Sequence, residues 1–343
     1  MSMAKPICNW MLYECAILSD GRVTTCCLDA YGKNAFANIY EHDWRETFFI
    51  RFSEFRKRFV SDIKSLPKCC ECIMAFANKG VNTPNASKEE VKAFLSPNHI
   101  PPNMVIELTS LCNLKCIACP QSQPDFGESR FGNDGRNIKI GHLMHWIMPI
   151  VKNIKLVRLY NYGESFLHRG AIDFCSFLTE TNSNIEVDVA TNGILLDSRE
   201  KIVQLIHAKP KILDFSIHGG SQTTIEKYMG PGTNLDKVLT NLSLILSVRE
   251  EMKSSLPVVG WKCVLFRWND SDEEMDQVRH LAREIGVDFY GFDLTTGPYA
   301  SQRFLLHNHA WQSIVKQREC YFDRFWDYLN PNVLANLRSL VVG

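Results

Sequence analysis

The stretch Met104-Val-Ile-Glu-Leu-Thr-Ser-Leu-Cys112-Asn-Leu-Lys-Cys116-Ile-Ala-Cys119-Pro120 organises the rest of the chain. Its apolar start predicts a buried strand that ends directly in a loop with three cysteines. Their spacing is Cys-x3-Cys-x2-Cys, so three thiolates lie on one tight loop. Three such thiolates can hold three corners of a cubane iron–sulfur cluster, which leaves the fourth iron open to a substrate or cosubstrate.

A structural zinc site and a disulfide compete with the cluster as interpretations of this cysteine triad. Structural zinc normally takes four protein ligands in pairs, and no fourth Cys or His follows promptly after Cys119. A disulfide fits badly with a sequence whose first residues lack the apolar segment of a secretory signal. The iron–sulfur interpretation is therefore preferred.

At these residues the sequence resembles the radical S-adenosylmethionine (SAM) superfamily, whose signature is the same triad. The resemblance implies a [4Fe–4S] cluster whose open iron binds the amino and carboxylate groups of SAM. It also implies reductive cleavage of SAM to methionine and a 5′-deoxyadenosyl radical, which abstracts hydrogen from a substrate. One departure is Ala118, since the residue before the third cysteine is often aromatic in the superfamily. This departure changes the packing around the cluster and not its ligation.

Length and composition limit the remaining possibilities. The chain has 343 residues, of which 45% are hydrophobic, and this is enough for a barrel-sized domain plus a small module. The formal net charge is zero, which argues against nucleic acid as a partner. No stretch has the uncharged length of a membrane span, and we expect a cytoplasmic protein. In that compartment 13 cysteines indicate metal ligation more than disulfides.

The first seventy-odd residues form a cysteine-rich segment of their own. The turn Asp20-Gly21 lies between β-forming residues and predicts a two-stranded ribbon that delivers Cys26 near its end. Aromatic residues at helical spacing within residues 43–63 predict a packed helix. A Cys-x-x-Cys pair, Cys69 and Cys72, closes the segment.

This pattern resembles the auxiliary-cluster modules, SPASM and its shorter twitch relatives, of many radical SAM enzymes. The resemblance implies one further [4Fe–4S] cluster, with ligands Cys8, Cys26, Cys69 and Cys72, and Cys15 as the alternative to Cys8. In the family the module follows the barrel, whereas in this chain the module precedes the barrel. The resemblance therefore does not predict which face of the module contacts the barrel. A zinc ribbon that holds a small module together is the competing interpretation.

Six strand–helix units follow from residue 104 to about residue 298, with strands beginning near residues 104, 155, 185, 212, 257 and 287. Alternating units of this kind make parallel strands with right-handed crossovers. The count agrees with the family fold, a partial (β/α)6 TIM-like barrel in the α/β class. The predicted organisation is an auxiliary module (1–75), a linker with a short helix (76–103), the barrel (104–298) and a C-terminal helical tail (299–343).

Three predicted strand ends carry candidate SAM contacts. Gly163-Glu164 resembles the superfamily Gly-Glu motif, whose carboxylate contacts the SAM amino group, although Ser165 stands where the family often has Pro. Asn192 lies in a Thr-Asn-Gly tripeptide that in the family shapes the SAM side of the barrel; a plain turn is the alternative. Ser216 resembles a serine that contacts the SAM ribose or carboxylate.

Two further residues are candidates for chemistry on the substrate. His218 stands where related enzymes often have Asp, and its position at the mouth of the barrel makes it a candidate base or substrate contact. A hydrogen-bonded structural histidine is the alternative. An inward thiol at Cys263 would return a hydrogen atom to a substrate radical and make an epimerase. A buried free cysteine, however, is more often a small apolar residue.

The preferred function is a radical SAM enzyme that oxidises a small polar metabolite, such as a sugar-like one, or a peptide by two electrons. In this scheme the auxiliary cluster takes the second electron, and a low-potential donor such as flavodoxin or ferredoxin supplies the first. The alternatives are an epimerase or eliminase without net oxidation, an RNA-modifying radical SAM enzyme, and a cysteine-rich zinc protein that acts as a binding module.

Overall fold

The computed structural model describes residues 8–78, 88–126, 136–295, 298–304, 320–321 and 324–328. The fold is mixed α/β with extensive parallel strand pairing. The chain divides into two compact units. The first unit comprises Met1–Leu111 and Gln123–Glu186, and the second comprises Cys112–Ser122 and Val187–Gly343. Among the described residues, no helix combines the length and the apolar character that crossing a membrane requires.

The first unit contains six α-helices and five strands within its described residues. The helices are α1 Asn9–Tyr13, α2 Phe52–Ser61, α3 Pro67–Asn78, α4 Lys88–Phe94, α5 Ile140–Ile147 and α6 Ala171–Thr181; a π-helix, Glu46–Arg51, leads into α2. The strands are β1 Glu14–Ile17, β2 Arg22–Thr24, β3 Ala37–Asn38, β4 Asn103–Ile106 and β5 Leu156–Leu159. Their order is β5-β4-β1-β2-β3.

The predicted ribbon is present as β1 and β2, which pair antiparallel. Gly21 has φ 85°, and a Cβ there would lie 2.6 Å from the Tyr40 ring, so the turn requires glycine. β1 also pairs in parallel with β4, with Cys15 opposite Met104. The sequence does not indicate this pairing, because β1 looks like one half of a hairpin. The amino-terminal segment therefore shares a sheet with the strand that leads to the cysteine triad.

The aromatic stripe of residues 43–63 packs as expected. Phe36 stacks on Phe52, with ring centroids 4.9 Å apart. The fully buried Arg56 donates to the carbonyl oxygens of Phe94 and Ser96, at 2.6 and 2.7 Å. These bonds fix the end of α4, the short helix predicted in the linker, against the stripe.

The second unit contains four α-helices and six strands within its described residues. The helices are α7 Arg199–His207, α8 Gln222–Met229, α9 Leu235–Glu251 and α10 Asp272–Ile285. The strands are β6 Glu186–Thr191, of which all but the first residue belong to this unit, β7 Ile212–Ser216, β8 Val258–Leu265, β9 Phe289–Leu294, β10 Cys320–Tyr321 and β11 Arg324–Tyr328. β6 to β9 pair in parallel in chain order, and β11 pairs antiparallel with β9.

All six predicted strands of residues 104–298 are strands in the structure, β4 to β9. The tail differs from its prediction. We expected a helix around residues 311–329, but residues 320–321 and 324–328 form β10 and β11. The physical reason is the edge of β9, whose backbone groups need partners, and the run Arg-Phe-Trp-Asp-Tyr is rich in β-forming residues. The rest of the predicted helix lies outside the described residues.

Candidate functional site

The cysteine triad lies on a tightly turned loop of the second unit. The Cys119 amide donates to the Cys116 carbonyl at 3.1 Å, and the Ser122 amide donates to the Cys119 carbonyl at 3.0 Å. Burial, followed by the sulfurs of Cys119 and Cys112, raises the pKa of the Cys116 thiol to about 12. Three thiolates this close repel one another, so a positive metal centre is what would favour their charged form.

Asn192 lies against this loop. Its Nδ2 donates to Asn113 Oδ1 at 2.8 Å and is 4.0 Å from Cys112 Sγ. Its own Oδ1 accepts the Ile194 amide at 3.1 Å. The next residue, Gly193, has φ 78°, and a Cβ there would lie 2.7 Å from the Phe215 ring. The Thr-Asn-Gly tripeptide is thus a turn that also supports the first cysteine of the triad.

Tyr228, at the end of α8, is a neighbour of the triad that sequence reasoning missed. Its carbonyl accepts the Ile117 amide at 2.8 Å. Burial raises the pKa of its phenol, and the sulfurs of Cys116 and Cys119 raise it further. Its ring stacks on Phe266 at 4.2 Å. The signal in the sequence is Ala118, whose small side chain leaves space beside the third cysteine for a ring from elsewhere in the fold.

A cavity of about 190 Å³ opens beside the triad loop in the second unit. Its walls combine aromatic rings with a carboxylate and a hydroxyl. The lining residues are Ala118, Tyr228, Val264, Phe266, Asp293, Leu294, Thr295, Pro298, Tyr299 and Ala300. The structure therefore brings the third-cysteine segment together with the carboxyl ends of β8 and β9, where parallel α/β folds place their ligands.

His218 follows β7 and is buried. Its Nδ1 accepts the Val264 amide at 3.1 Å, which leaves the proton on Nε2. Burial, followed by the Lys262 cation, lowers the pKa of the imidazole to about 3. The ring is therefore neutral at pH 7 and can donate a hydrogen bond from Nε2. This placement agrees with the structural alternative more than with a strong base. Ser216, the last residue of β7, is half-buried.

Cys263 is buried on β8. Its sulfur lies 3.8 Å from Asn269 Nδ2, and burial raises the pKa of its thiol, with Glu274 and Asp293 adding to the effect. Side chains alternate along a strand, and the next residue, Val264, lines the cavity. The alternation therefore directs the thiol of Cys263 to the opposite face of β8.

Gly163 and Glu164 lie in the first unit, after β5. The Glu164 amide donates to the Leu111 carbonyl at 2.8 Å. A Cβ on Gly163 would lie 1.8 Å from the Thr109 carbonyl oxygen, so only glycine allows this approach. The carboxylate of Glu164 is buried and accepts the Phe166 amide at 3.4 Å. The motif is thus fixed to residues 109–111, which immediately precede Cys112 in the chain.

The four predicted ligands Cys8, Cys26, Cys69 and Cys72 share one neighbourhood in the first unit, together with Cys27. Burial raises the pKa of the Cys26 thiol, and the sulfurs of Cys27, Cys8 and Cys69 raise it further. Burial likewise raises the pKa of Cys69 to about 12, with contributions from the sulfurs of Cys8 and Cys72. Asn34 Nδ2 donates to Cys69 Sγ at 3.1 Å.

Cys15 lies apart from this group. It is fully buried in β1, and its pKa is raised by burial and then by Glu14, with no sulfur contributing. Of the two candidates for the first ligand, the structure places Cys8 with the other three cysteines.

Both sets offer only cysteine sulfur as a donor, and cysteine sulfur is the ligand of an iron–sulfur cluster. Within the described residues, no group of three or more His, Cys, Asp or Glu side chains converges on the position of a single metal ion. A four-iron cluster uses one thiolate per iron, so its ligands surround a cube instead of meeting at one point. The residues present therefore fit the cluster chemically.

Residues 106–260 match the family model of the radical SAM superfamily. The matched residues begin in β4 and end in β8, and this part of the chain is similar to a radical SAM domain. None of the curated proteins matches the chain.

Several solved structures are similar at low identity. TYW1 with a lysine-pyruvate adduct bound is 14% identical, with a TM-score of 0.39, over 57% of this chain and 63% of that one. Methylornithine synthase (PylB) is 10% identical, with a TM-score of 0.41, over 54% and 51%. Native anSMEcpe with bound AdoMet is 17% identical, with a TM-score of 0.43, over 58% and 55%. The chain thus spans between half and two thirds of the length of these structures.

Proposed function

We propose that the protein is a radical SAM enzyme. The observation that carries the proposal is the triad Cys112, Cys116 and Cys119, clustered on one loop inside the radical SAM domain. When bound there, a [4Fe–4S] cluster with SAM on its open iron supplies a low-potential electron that cleaves SAM to methionine and a 5′-deoxyadenosyl radical. The chain's own part is to hold the cluster by three thiolates, to orient SAM and to present a substrate C–H bond to the radical.

Four residues are proposed to orient SAM. Glu164 accepts hydrogen bonds from the SAM amino group, and Gly163 permits the backbone approach that positions Glu164. In the second unit, Asn192 is proposed to shape the SAM side of the barrel at the end of β6, where its amide is fixed against Asn113. Ser216 offers a half-buried hydroxyl at the end of β7 to the ribose or the carboxylate.

The substrate is proposed to be a small polar metabolite or a single side chain of a peptide. The cavity beside Ala118 supports this class, because about 190 Å³ admits a small molecule or one side chain and no folded macromolecule. Asp293 and Thr295 offer polar contacts in its wall. The neutral His218 lies in ring contact with Tyr228 of the same wall, at 5.0 Å, and is a candidate hydrogen-bond donor on this side.

The net reaction is proposed to be a two-electron oxidation. Such an oxidation removes a hydrogen atom, an electron and a proton from the substrate. Cys8, Cys26, Cys69 and Cys72 would hold an auxiliary [4Fe–4S] cluster, which would supply an acceptor for the electron, and the proton would pass to water. The shared neighbourhood of these four cysteines supports the auxiliary cluster. The direction of Cys263 away from the cavity disfavours the thiol donation that an epimerase needs. A reduced flavodoxin or ferredoxin is the proposed electron donor.

The domain proposal follows from the same assignments. The proposed domains are an auxiliary-cluster module (residues 1–75), a linker (76–103), the barrel that performs the radical chemistry (104–298) and a C-terminal tail (299–343). The pairing of β1 with β4 indicates that the first of these segments is built onto the sheet of the third.

The test is iron and sulfide content after anaerobic reconstitution. About eight irons per chain are expected in the wild type and about four in the Cys112/Cys116/Cys119→Ala variant, since each cubane holds four irons. A Cys26/Cys69/Cys72→Ala variant is expected to lose the other four. The matched control is Cys175→Ala, a buried helix cysteine, and it is expected to keep all eight.

Three outcomes would contradict parts of the proposal. Zinc in place of iron in the triad would exclude the radical chemistry. Iron in the triad alone would remove the auxiliary cluster and favour a redox-neutral reaction over oxidation. With both clusters present, deoxyadenosine formation without an oxidised product from any candidate substrate would refute the oxidation.

A further inference from the structure

Tyr162, the residue before Gly163-Glu164, is held at both of its ends within the first unit. Its phenol hydroxyl donates to the carbonyl oxygen of Cys27 at 3.0 Å. Its backbone amide donates to Glu107 Oε1 at 3.3 Å. One residue thus joins the loop of the amino-terminal cysteines to the segment that carries the Gly-Glu motif.

Glu107 extends this connection to the amino-terminal ribbon. Its carboxylate is 1% exposed, and its second oxygen accepts the Ser19 amide at 3.0 Å. A buried carboxylate requires such hydrogen bonds, because burial without partners is strongly unfavourable. Glu107 therefore fixes the backbone of Tyr162 and the backbone after β1 to the same point at the end of β4.

An aromatic contact completes the arrangement. Ala30 and Phe126 form a small buried cluster, and the rings of Tyr31 and Tyr162 pack against it. Phe126 meets Tyr162 edge to face at 6.2 Å and Tyr31 at 5.5 Å. We name the contacts of Tyr162 with Cys27, Glu107 and Phe126 the Tyr162 junction.

We propose that the Tyr162 junction couples occupation of the amino-terminal cysteine site to SAM binding, with Tyr162 as a positioning residue. The inference rests on the proposed function in its assignment of Glu164 to the SAM amino group. A cluster bound to Cys26 fixes the backbone of the neighbouring Cys27, and the Tyr162 hydroxyl transmits this order to Gly163 and Glu164. SAM then binds to a Gly-Glu motif that is already ordered. Binding no longer has to supply the free energy that ordering the motif costs, so the affinity for SAM is higher.

Coupling of this kind is reciprocal. If the amino-terminal cluster raises the affinity for SAM, SAM must raise the retention of that cluster by the same factor. The coupling therefore has two readouts, the equilibrium affinity for SAM and the retention of iron at the amino-terminal site, and neither depends on turnover. If Tyr162 acted only in folding, its substitution would not change the affinity for SAM and the retention of iron together, as coupling requires.

The decisive variant is Tyr162→Phe, which removes one hydroxyl and keeps the ring packing. Equilibrium dialysis of SAM against anaerobically reconstituted protein is expected to show a dissociation constant about 3- to 10-fold higher, the range of one neutral hydrogen bond. Cys26→Ala is expected to weaken SAM binding to a similar degree. The double variant should be no weaker than Cys26→Ala alone, because both changes break the same connection.

The matched control is Tyr40→Phe. It removes a hydroxyl of the same kind, which accepts the Lys139 amide at 2.9 Å in the same unit. This hydroxyl makes its bond away from Gly163 and Glu164, so the affinity for SAM is expected to equal that of the wild type. Iron content is measured for every variant, so that a change in affinity is not mistaken for a loss of the triad cluster.

The second readout is the rate at which an iron chelator removes iron from the amino-terminal site. It is measured in protein that keeps the triad Cys112, Cys116 and Cys119. Saturating SAM is expected to slow this loss in the wild type and in Tyr40→Phe, and not in Tyr162→Phe.

The outcomes separate the two proposals. If the wild type binds SAM and Tyr162→Phe binds it equally well, or if the effects of Tyr162→Phe and Cys26→Ala add, the coupling is refuted and the enzyme assignment stands. If the wild type with a full triad cluster does not bind SAM, the proposed function fails and the coupling falls with it.

Discussion

The close approach at Gly163 gives a prediction whose size follows from the structure. A Cβ at this position would lie 1.8 Å from the Thr109 carbonyl oxygen, 2.7 Å from the Thr109 carbonyl carbon and 3.0 Å from the Leu111 carbonyl oxygen. Carbon and carbonyl oxygen ordinarily approach to about 3.3 Å, so Gly163→Ala requires a backbone shift of about 1.5 Å.

The neighbours are backbone atoms and have no rotamer through which to move away. Overpacking of a well-packed site costs about 1–3 kcal/mol, and a clash with backbone belongs at the upper end of that range. We therefore expect Gly163→Ala to lower the free energy of unfolding by about 3 kcal/mol. We also expect weaker SAM binding, because the Glu164 amide is bonded to Leu111 in the same contact.

The assay is urea unfolding followed by circular dichroism, with wild type and variant in the same state of reconstitution. The matched control is Gly141→Ala, since a Cβ on Gly141 meets nothing within 4 Å and Gly141 lies in helix α5. Alanine in a helix is favoured over glycine by about 0.5–1 kcal/mol, so the control is expected to be unchanged or slightly more stable. Equal stability of the two variants would refute the argument from close approach.

Three further predictions test separate parts of the molecule. Asp288 is buried, is paired with Arg249 and accepts the Val259 amide at 2.7 Å, so Asp288→Ala is expected to lower the free energy of unfolding in urea by about 3–5 kcal/mol. The control Glu251→Ala changes an exposed carboxylate and should leave the unfolding midpoint unchanged. Equal effects of the two substitutions would contradict the role of burial. His218 has a pKa lowered to about 3 by burial, so the unfolded state binds its proton first as pH falls below about 6.5. Between pH 7 and 5 the wild type should lose about 2 kcal/mol more stability than His218→Gln, whereas parallel pH profiles would show that the imidazole is not buried in its neutral form. Because strand alternation directs Cys263 away from the cavity, Cys263→Ala is expected to retain turnover, and product formed in D2O should carry no deuterium at the reacting carbon; incorporation that the variant abolishes would restore the thiol donor.

Much of the fold could be predicted because its signals are local. The apolar runs that became β4 to β9 have strand lengths and are separated by helical patterns, and such alternation determines parallel pairing almost by itself. The glycine of Asp20-Gly21 was identifiable for the same reason, because its positive φ belongs to its own turn. Gly163 is required instead by the approach of the Thr109 carbonyl, and only its resemblance to the family motif indicated it. The tail was not predictable in this way, since an aromatic run near Trp326 satisfies a helix or a strand, and only the edge of β9 decided for the strand.

The candidate site likewise has features that are local in the sequence and features that depend on the fold. The sequence by itself determined that three cysteines lie on one loop, because this needs only their spacing, and its resemblance to the family motif predicted Gly163-Glu164 one strand later. Only the tertiary structure decided that Cys8 and not Cys15 lies with Cys26, that Tyr228 packs against the triad, and that His218 is neutral. It also decided that Glu107 and Tyr162 connect the amino-terminal loop to the Gly-Glu motif. The physical reason is that burial, protonation state and hydrogen-bond partners are set by residues distant in the chain, and their spacing in the sequence carries no record of those contacts.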